Sequence, residues 1–469
     1  MDVGGQARVE RKGAALVLLC VAQFVDVLDV NAVIVALHSI GQDLGFSQAG
    51  LQWVVSAYVL FFAGFLLLSG RVADLWGRRL TFVAGLAVFT AASLCCGLSV
   101  SPEMLVVSRA FQGLGAATTA PALSIITTIF AEGRERDRAV AAWTAVAAGG
   151  GAAGLLLGGF ITDVLGWEWI FFVNVPVGVA AIALSHVLLP ESRDPAASRR
   201  LDLLGAGTVT SGLVLLVLGL TRTEEAGFGS PTTLATLGLA ATFFGAFVFV
   251  ERRAVDPLVP LRLFRLHALV GAALVAFALT AATAPVGVLV TLYLQNTLGY
   301  SASLAGLAGL PFSLCVIAGS MMGGRISERI GGRVTMSLGL AVVAASALVT
   351  AGITAEGGVA YVLAGAALSG LGLGFASVAS TARGTSAVEE GKRGLASGFM
   401  NTSAQVGTAL GLAALLTLAA TRTAALSDGA ESAAVVLVAG YRLAFLVAAG
   451  VASLGVVAAL YFFRQAKKS

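Results

Sequence analysis

The chain has 469 residues, 58% of them hydrophobic and only 12% charged, with a mean hydropathy of +0.92 and a formal net charge of +4. A water-soluble globule carries about 25% charged residues, so this composition lies outside the soluble class. The four cysteines, Cys20, Cys95, Cys96 and Cys315, show no metal-ligand spacing and read as small buried hydrophobes.

Apolar runs of about 20 residues can cross a ~30 Å hydrocarbon layer as helices. Fourteen occur, at 14–37, 51–70, 80–98, 103–126, 139–162, 169–188, 203–221, 232–250, 268–294, 304–323, 334–354, 359–382, 395–420 and 440–463. The first reads as a span and not a cleaved leader, because it is long, contains Asp26 and Asp29 and lacks an A-x-A site. The second ends in GRVADLWGRR, Gly70–Arg79, and the tenth in GRISERIGGR, Gly324–Arg333, 254 positions later. GLGAA at Gly113 returns as GLGLG at Gly370, and GGGAAG at Gly149 as VGTALG at Val406, both 257 positions on. These offsets predict a duplicated, all-α membrane protein. Residues 1–190 form one six-helix bundle and 268–469 a second, with 191–267 as a linker and two inserted helices. Two facing six-helix halves would place any small-molecule site near the midplane between them.

Charge tests the span count independently. Of the 29 Lys and Arg, 25 fall on the N-terminal side of this alternation. Only Arg222, Arg422 and Arg442 fall on the other side, and Arg109 lies within a span. The positive-inside rule therefore places both termini in the cytoplasm. The net charge is a topology signal, and no basic, aromatic-interleaved patch points to nucleic acid. No GxxxxGK[ST] loop occurs, so ATP is not the expected driver.

Several motifs resemble the major facilitator superfamily, and its fourteen-span drug:proton antiporters in particular. GRVADLWGRR resembles the loop between spans 2 and 3, and RAFQGLGAA, Arg109–Ala117, resembles the span 4 motif. LDVNAVIVALHSI, Leu28–Ile40, is similar to the span 1 motif of that branch. WEWIFFVNVPVG, Trp167–Gly178, and YLQNTLGYSASLAGLAGLP, Tyr293–Pro311, resemble further segments of it. The span 5 antiporter motif departs from pattern, with Leu155 where the family has Pro after Gly154. His38, Ile34, Glu168 and Ala404 also replace usual residues. The resemblance implies proton-driven efflux of hydrophobic or cationic small molecules across a bacterial cell membrane by a multi-pass monomer. It implies no cofactor and no metal. Arg outnumbers Lys 25 to 4, which points to a high-GC bacterium. The runner-up is proton-coupled uptake, or export of an endogenous metabolite, on the same fold.

Deep acids in a membrane face a cavity or a partner and serve transport. Asp26 and Asp29 are three residues apart on span 1, on neighbouring parts of one helix face. Mutual repulsion and desolvation there favour the protonated carboxyl and allow proton uptake, so both acids, with Arg109, are the expected proton-coupling residues. Arg109 is the only deep base and lies at a similar depth to Asp29, so a pairing that tunes the acid is expected. Gly70, Asp74, Gly77, Arg78 and Arg79, with Glu328 and Arg333 of the second copy, are expected to latch the cytoplasmic side when the outside is open. Gly150, Gly154, Gly158 and Gly159 let span 5 pack tightly or bend, and the antiporter resemblance implies as an alternative that they control proton leak. Gln23, Trp53, Tyr58, Gln112, Trp143, Tyr293, Gln295, Asn401 and Gln405 are candidates to line the substrate cavity. An acyltransferase-like H-x4-D pattern at His38–Asp43 stands alone, without supporting catalytic groups.

Overall fold

A computed structural model describes residues 3–119, 122–130, 134–191, 202–227, 229–254, 257–389, 393–427 and 432–463. Within them eleven helical segments are long and apolar enough to cross a membrane, with shorter apolar helices at Trp53–Leu66 and Gly149–Leu165. No strand occurs among the described residues. Helices are the natural outcome, because lipid offers the backbone no hydrogen-bond partner and a helix pairs its own. Side-chain hydroxyls follow the same rule. Those of Thr90, Thr162, Ser185 and Thr350 each donate to the carbonyl four residues earlier.

The chain runs up and down between two faces. α1 (Val3–Leu44) leaves the face where the described chain begins, here the terminal face, and reaches the far face. After the short α2 (Gln48–Leu51), α3 (Trp53–Trp76) returns and α4 (Arg78–Gly97) goes out again. Gly77 between them has φ +116°, a value that disfavours any residue with a Cβ. Then follow α5 (Pro102–Thr119), α6 (Ala122–Ile129), α7 (Arg134–Leu165), α8 (Glu168–Phe172) and α9 (Asn174–Leu188). α10 (Leu203–Ala226) and α11 (Pro231–Arg253) pack on each other as a hairpin. α12 (His267–Leu292) contains Pro285 and continues into a π-turn at Tyr293–Thr297. The remainder is α13 (Ala302–Ala308), α14 (Leu310–Ile330), α15 (Gly332–Thr350), α16 (Val359–Thr385), α17 (Arg393–Leu426) and α18 (Ala433–Phe462).

Glycines set the closest helix contacts. α7 lies on α1 through Gly150, Gly154 and Gly158, where a Cβ would stand 2.6 Å from the Leu28 carbonyl oxygen at Gly154 and 2.5 Å from Ala32 Cα at Gly158. α17 lies on α12 in the same manner, with a Cβ at Gly411 falling 2.7 Å from Ala281 Cα. Gly154 and Gly411 are the positions the 257-residue repeat relates, so the repeated motif makes the same type of helix pair twice.

The two groups of helices meet at the far face. Gln295 Nε2, in the π-turn, donates to the Val35 carbonyl of α1 at 2.8 Å. Asp163, near the end of α7, accepts from the backbone N–H groups of Ala302 (3.0 Å) and Ser303 (2.8 Å), the first residues of α13. Gly306 packs on the Leu155 backbone. One apolar cluster accordingly runs from Val35 and Leu37 through Tyr293, Ala302 and Ala305. Toward the terminal face the buried clusters separate. One holds Leu19, Phe82, Ile126 and Phe130, and another Leu269, Ala272, Ala396 and Met400. The two helix groups are thus closed against each other at the far face.

Candidate functional site

The middle of the first helix group holds a buried charged network. Asp29 of α1 and Arg109 of α5 are both fully buried, with Arg109 Nη1 2.5 Å from Asp29 Oδ2. Asp29 Oδ1 accepts from Gln112 Nε2 at 2.9 Å and from Asn174 Nδ2 at 2.8 Å. Arg109 also donates from Nε to the Val54 carbonyl at 2.9 Å and from Nη1 to Gln112 Oε1 at 2.6 Å. Its guanidinium carbon lies 4.5 Å from the Tyr58 ring centre and 5.8 Å from that of Phe171. Gln112 Nε2 donates as well to Ser93 Oγ at 2.8 Å. Arg109 and Gln112 are one turn apart on α5, so a single helix face supplies both. α1, α3, α4, α5, α8 and α9 all converge here.

The chemistry follows from burial. Two opposite charges in a dry interior are tolerable only when paired and hydrogen-bonded, and removing one partner costs about 3–5 kcal/mol. Asp29 takes three donors on its two oxygens, which suits the ionised carboxylate. Nε and Nη1 are thus both engaged, while Arg109 Nη2 finds no partner among the described residues. The spare Nη2 donor gives the arginine a place to take another partner when the acid gains a proton.

Asp26 lies one turn nearer the terminal face and has different company. The Tyr58 hydroxyl donates to its Oδ1 in a short hydrogen bond, while the Tyr58 ring faces Arg109. Asp26 also lines a cavity of about 10 Å³ together with Phe89, Asn174 and Gly178. The two acids are therefore neighbours on α1 with separate partners, joined through Tyr58.

The repeated loops occupy corresponding places. Arg78 Nη1 donates to Thr128 Oγ1 at 2.5 Å, and Arg79 Nη1 to the Leu189 carbonyl at 3.3 Å. Arg79 also meets Glu191, with Nε 3.5 Å from Oε2. These contacts tie the α3–α4 turn to α6 and to the chain after α9. Gly70 is exposed on α3, and the side chain of Asp74 lies outside the described residues. In the second copy Gly331 has φ +86°, Glu328 is exposed, and Arg333 Nε has no partner among the described residues. Of the span 5 glycines, Gly150, Gly154 and Gly158 face α1, whereas Gly159 faces Ala302 and Ser303 of α13 across the seal.

The expected cavity residues divide. Asn401 lines a cavity of about 200 Å³ between α12, α16 and α17, beside Ser377, Ser380 and Thr381. Gln405 is half-buried one turn further along α17, and Gln23 is half-buried on α1. Tyr58 and Gln112 belong to the charged network. Trp53 packs on the main apolar cluster and Trp143 on the cluster around Phe82. Tyr293 and Gln295 are both buried in this conformation. From the π-turn, Gln295 reaches across the seal to Val35, whereas Tyr293 donates to the Thr354 carbonyl within the second helix group at 2.9 Å. Asn174, Ser93 and Asp163 were not singled out by the sequence. Asn174 lies inside the WEWIFFVNVPVG motif, and that was the available signal.

Many long apolar helices in two groups that meet at the far face, with a buried acid–arginine pair in the first, fit the class of membrane transporters. A family model described as Major Facilitator Superfamily matches residues 19–412 and 269–469, and the chain belongs to that family. It is 42% identical to the cephamycin export protein CmcT of Amycolatopsis lactamdurans over 428 residues, covering 90% of this chain and 87% of that one. It is 39% identical to the puromycin resistance protein pur8 of Streptomyces alboniger, covering 96% and 91%. Among solved structures, the POT family transporter PepTSo superposes with a TM-score of 0.70 at 15% identity, covering 96% of this chain and 97% of that one. That likeness concerns the fold.

Proposed function

We propose that the chain is a proton-driven exporter of small molecules, antibiotics or similar amphipathic compounds, from a bacterial cell. Export is supported by the relatives, which include cephamycin export and puromycin resistance proteins. Proton coupling rests on one observation, the buried Asp29–Arg109 pair. Fourteen spans with both termini in the cytoplasm, two six-helix bundles and a central inserted hairpin are supported by the alternating helix order and the one-sided basic loops. On that orientation the far face is external, and the conformation described is closed to the outside.

The cycle follows from the pair. With Asp29 ionised, Arg109 is bound and the network is electrically balanced. A proton reaching Asp29 removes its charge, weakens the Arg109 contact and frees the guanidinium to take carbonyl or water partners. α1 carries Asp29 and also packs on α7, whose far end forms the seal, so a shift of α1 reaches the closure. Substrate enters the cleft between the two bundles, with the cavity beside Asn401 as part of its wall. One proton crossing 100 mV is worth about 2.3 kcal/mol, and each ~1.4 kcal/mol is a tenfold gradient. A single coupled proton thus sustains a gradient of between one and two decades. The latch role of Gly70, Asp74, Gly77, Arg78 and Arg79 belongs to the opposite conformation, in which the cytoplasmic side closes.

The direction is tested by expressing the chain in a susceptible, pump-deficient bacterium. Steady-state accumulation of a fluorescent lipophilic dye and of puromycin is then measured with and without a protonophore. Accumulation of one or both should fall on expression and recover with the protonophore. A rise on expression would make the protein an importer.

A further inference from the structure

We infer that Asp26 is a second proton-carrying carboxyl, loaded from a single water held between Asp26 and Asn174 and joined to the Asp29–Arg109 pair through Tyr58. This rests on the proton-driven reading and extends it to a residue that lies outside the span 1 motif, which begins at Leu28.

The two acids differ in how much room is left for a proton. Asp29 is enclosed, with both oxygens taken by Arg109, Gln112 and Asn174. Asp26 accepts from Tyr58 on one oxygen and borders the cavity between α1, α4 and α9. That cavity, about 10 Å³, is near the smallest that holds one water. A water also needs at least two polar partners. The Asp26 carboxylate supplies one. Asn174 supplies the other, since it lines the same cavity, is 1% exposed, and its Oδ1 has no partner among the described residues. Asn174 Nδ2 is bound to Asp29, which fixes Oδ1 as the end turned away from that acid. A water placed here donates one hydrogen to Asn174 Oδ1 and the other to Asp26.

Loading is a simple transfer. A proton arriving on the water passes to the free oxygen of Asp26, an O–H bond forms, and neutral water remains. The Tyr58 hydroxyl keeps its bond to the other oxygen throughout. The groups facing Asp26 complete the account. α3 presents Tyr58, α5 presents Arg109 behind the Tyr58 ring, and α1 itself presents Asp29. α4 contributes Leu86 and Phe89, and α9 contributes Asn174, Val177, Gly178 and Ala181, none of them titratable. The packing of α7 on this part of α1 is made by Gly150. Neutralising Asp26 therefore acts chiefly on Tyr58, whose ring lies against the same guanidinium that holds Asp29. Asn174 touches both halves of this arrangement and is a positioning residue for it.

The test needs no transported drug. Purified protein in lipid nanodiscs is titrated with acid and base under infrared difference spectroscopy, in the carboxylic C=O region. The wild type should show two intramembrane acid bands, one lost in Asp26→Asn and the other in Asp29→Asn. Asp26→Glu should restore a band, and Tyr58→Phe should displace the Asp26 titration more than that of Asp29. If Asp26→Asn removes no band while Asp29→Asn does, Asp26 carries no proton and the inference is overturned, with the Asp29 reading intact. If Tyr58→Phe leaves the Asp26 band unmoved, the link through Tyr58 is overturned. Failure of proton-driven transport in vesicles is a separate result and would overturn the functional reading instead.

Discussion

Asp163 offers a direct handle on the closed face. Its carboxylate crosses from the end of α7 to the start of α13 and accepts two backbone N–H groups, at 3.0 and 2.8 Å. These are donors that the first turn of a helix leaves unpaired, and Ser301 already supplies a cap to Leu304 N. Replacing an N-terminal capping side chain by Ala costs about 0.5–2 kcal/mol. Asp163 is exposed, so water competes for the same groups and a value near ~1 kcal/mol is the better expectation. The whole loss falls on the sealed conformation, because opening the far face parts α7 from α13. At RT of about 0.6 kcal/mol, Asp163→Ala should therefore shift the equilibrium toward the opened far face by about fivefold. Spin labels on the loops before α13 and after α7 would report this by pulsed electron resonance, as growth of a longer-distance population. A distance distribution identical to wild type would refute the idea that this contact holds the seal.

Other expected outcomes follow from the same contacts. Arg109→Lys keeps the charge but cannot serve Val54, Asp29 and Gln112 together, so unfolding in detergent should cost about 1–3 kcal/mol less. Proton-coupled transport by that variant should be lost while the protein remains folded. Gly158→Leu should separate α1 from α7, since even a Cβ there meets the Ala32 backbone, and destabilise by about 1–3 kcal/mol in the same unfolding assay. Gly77→Ala should cost about 1–3 kcal/mol through its φ of +116° and slow turnover with little change in substrate binding.

Much of this was readable from sequence because a bilayer simplifies the problem. Long apolar runs, one-sided basic loops and repeated glycine motifs respond to lipid and voltage and not to side-chain detail. Asp29 and Arg109 announced themselves as charges with no other reason to be where they are. Asn174 did not, because one Asn near a span end resembles any other, and its bond to Asp29 requires α9 to lie beside α1. Asp163 was hidden for a similar reason, since its partners are backbone amides some 140 residues away. Tyr293 and Gln295 were expected in a cavity on residue type alone. Gln295 in the seal and Tyr293 in the second helix group are placed by the π-turn and by which face is closed, and neither is written in the local pattern.

The central claim is that a proton on Asp29 drives export. Purified protein in liposomes, with an imposed pH gradient and a panel of antibiotics and lipophilic dyes, tests it most directly. The wild type should move at least one compound against its gradient only while the pH difference lasts, and Asp29→Asn should abolish that movement. Full gradient-driven transport by Asp29→Asn, or wild-type transport indifferent to pH, would contradict the account.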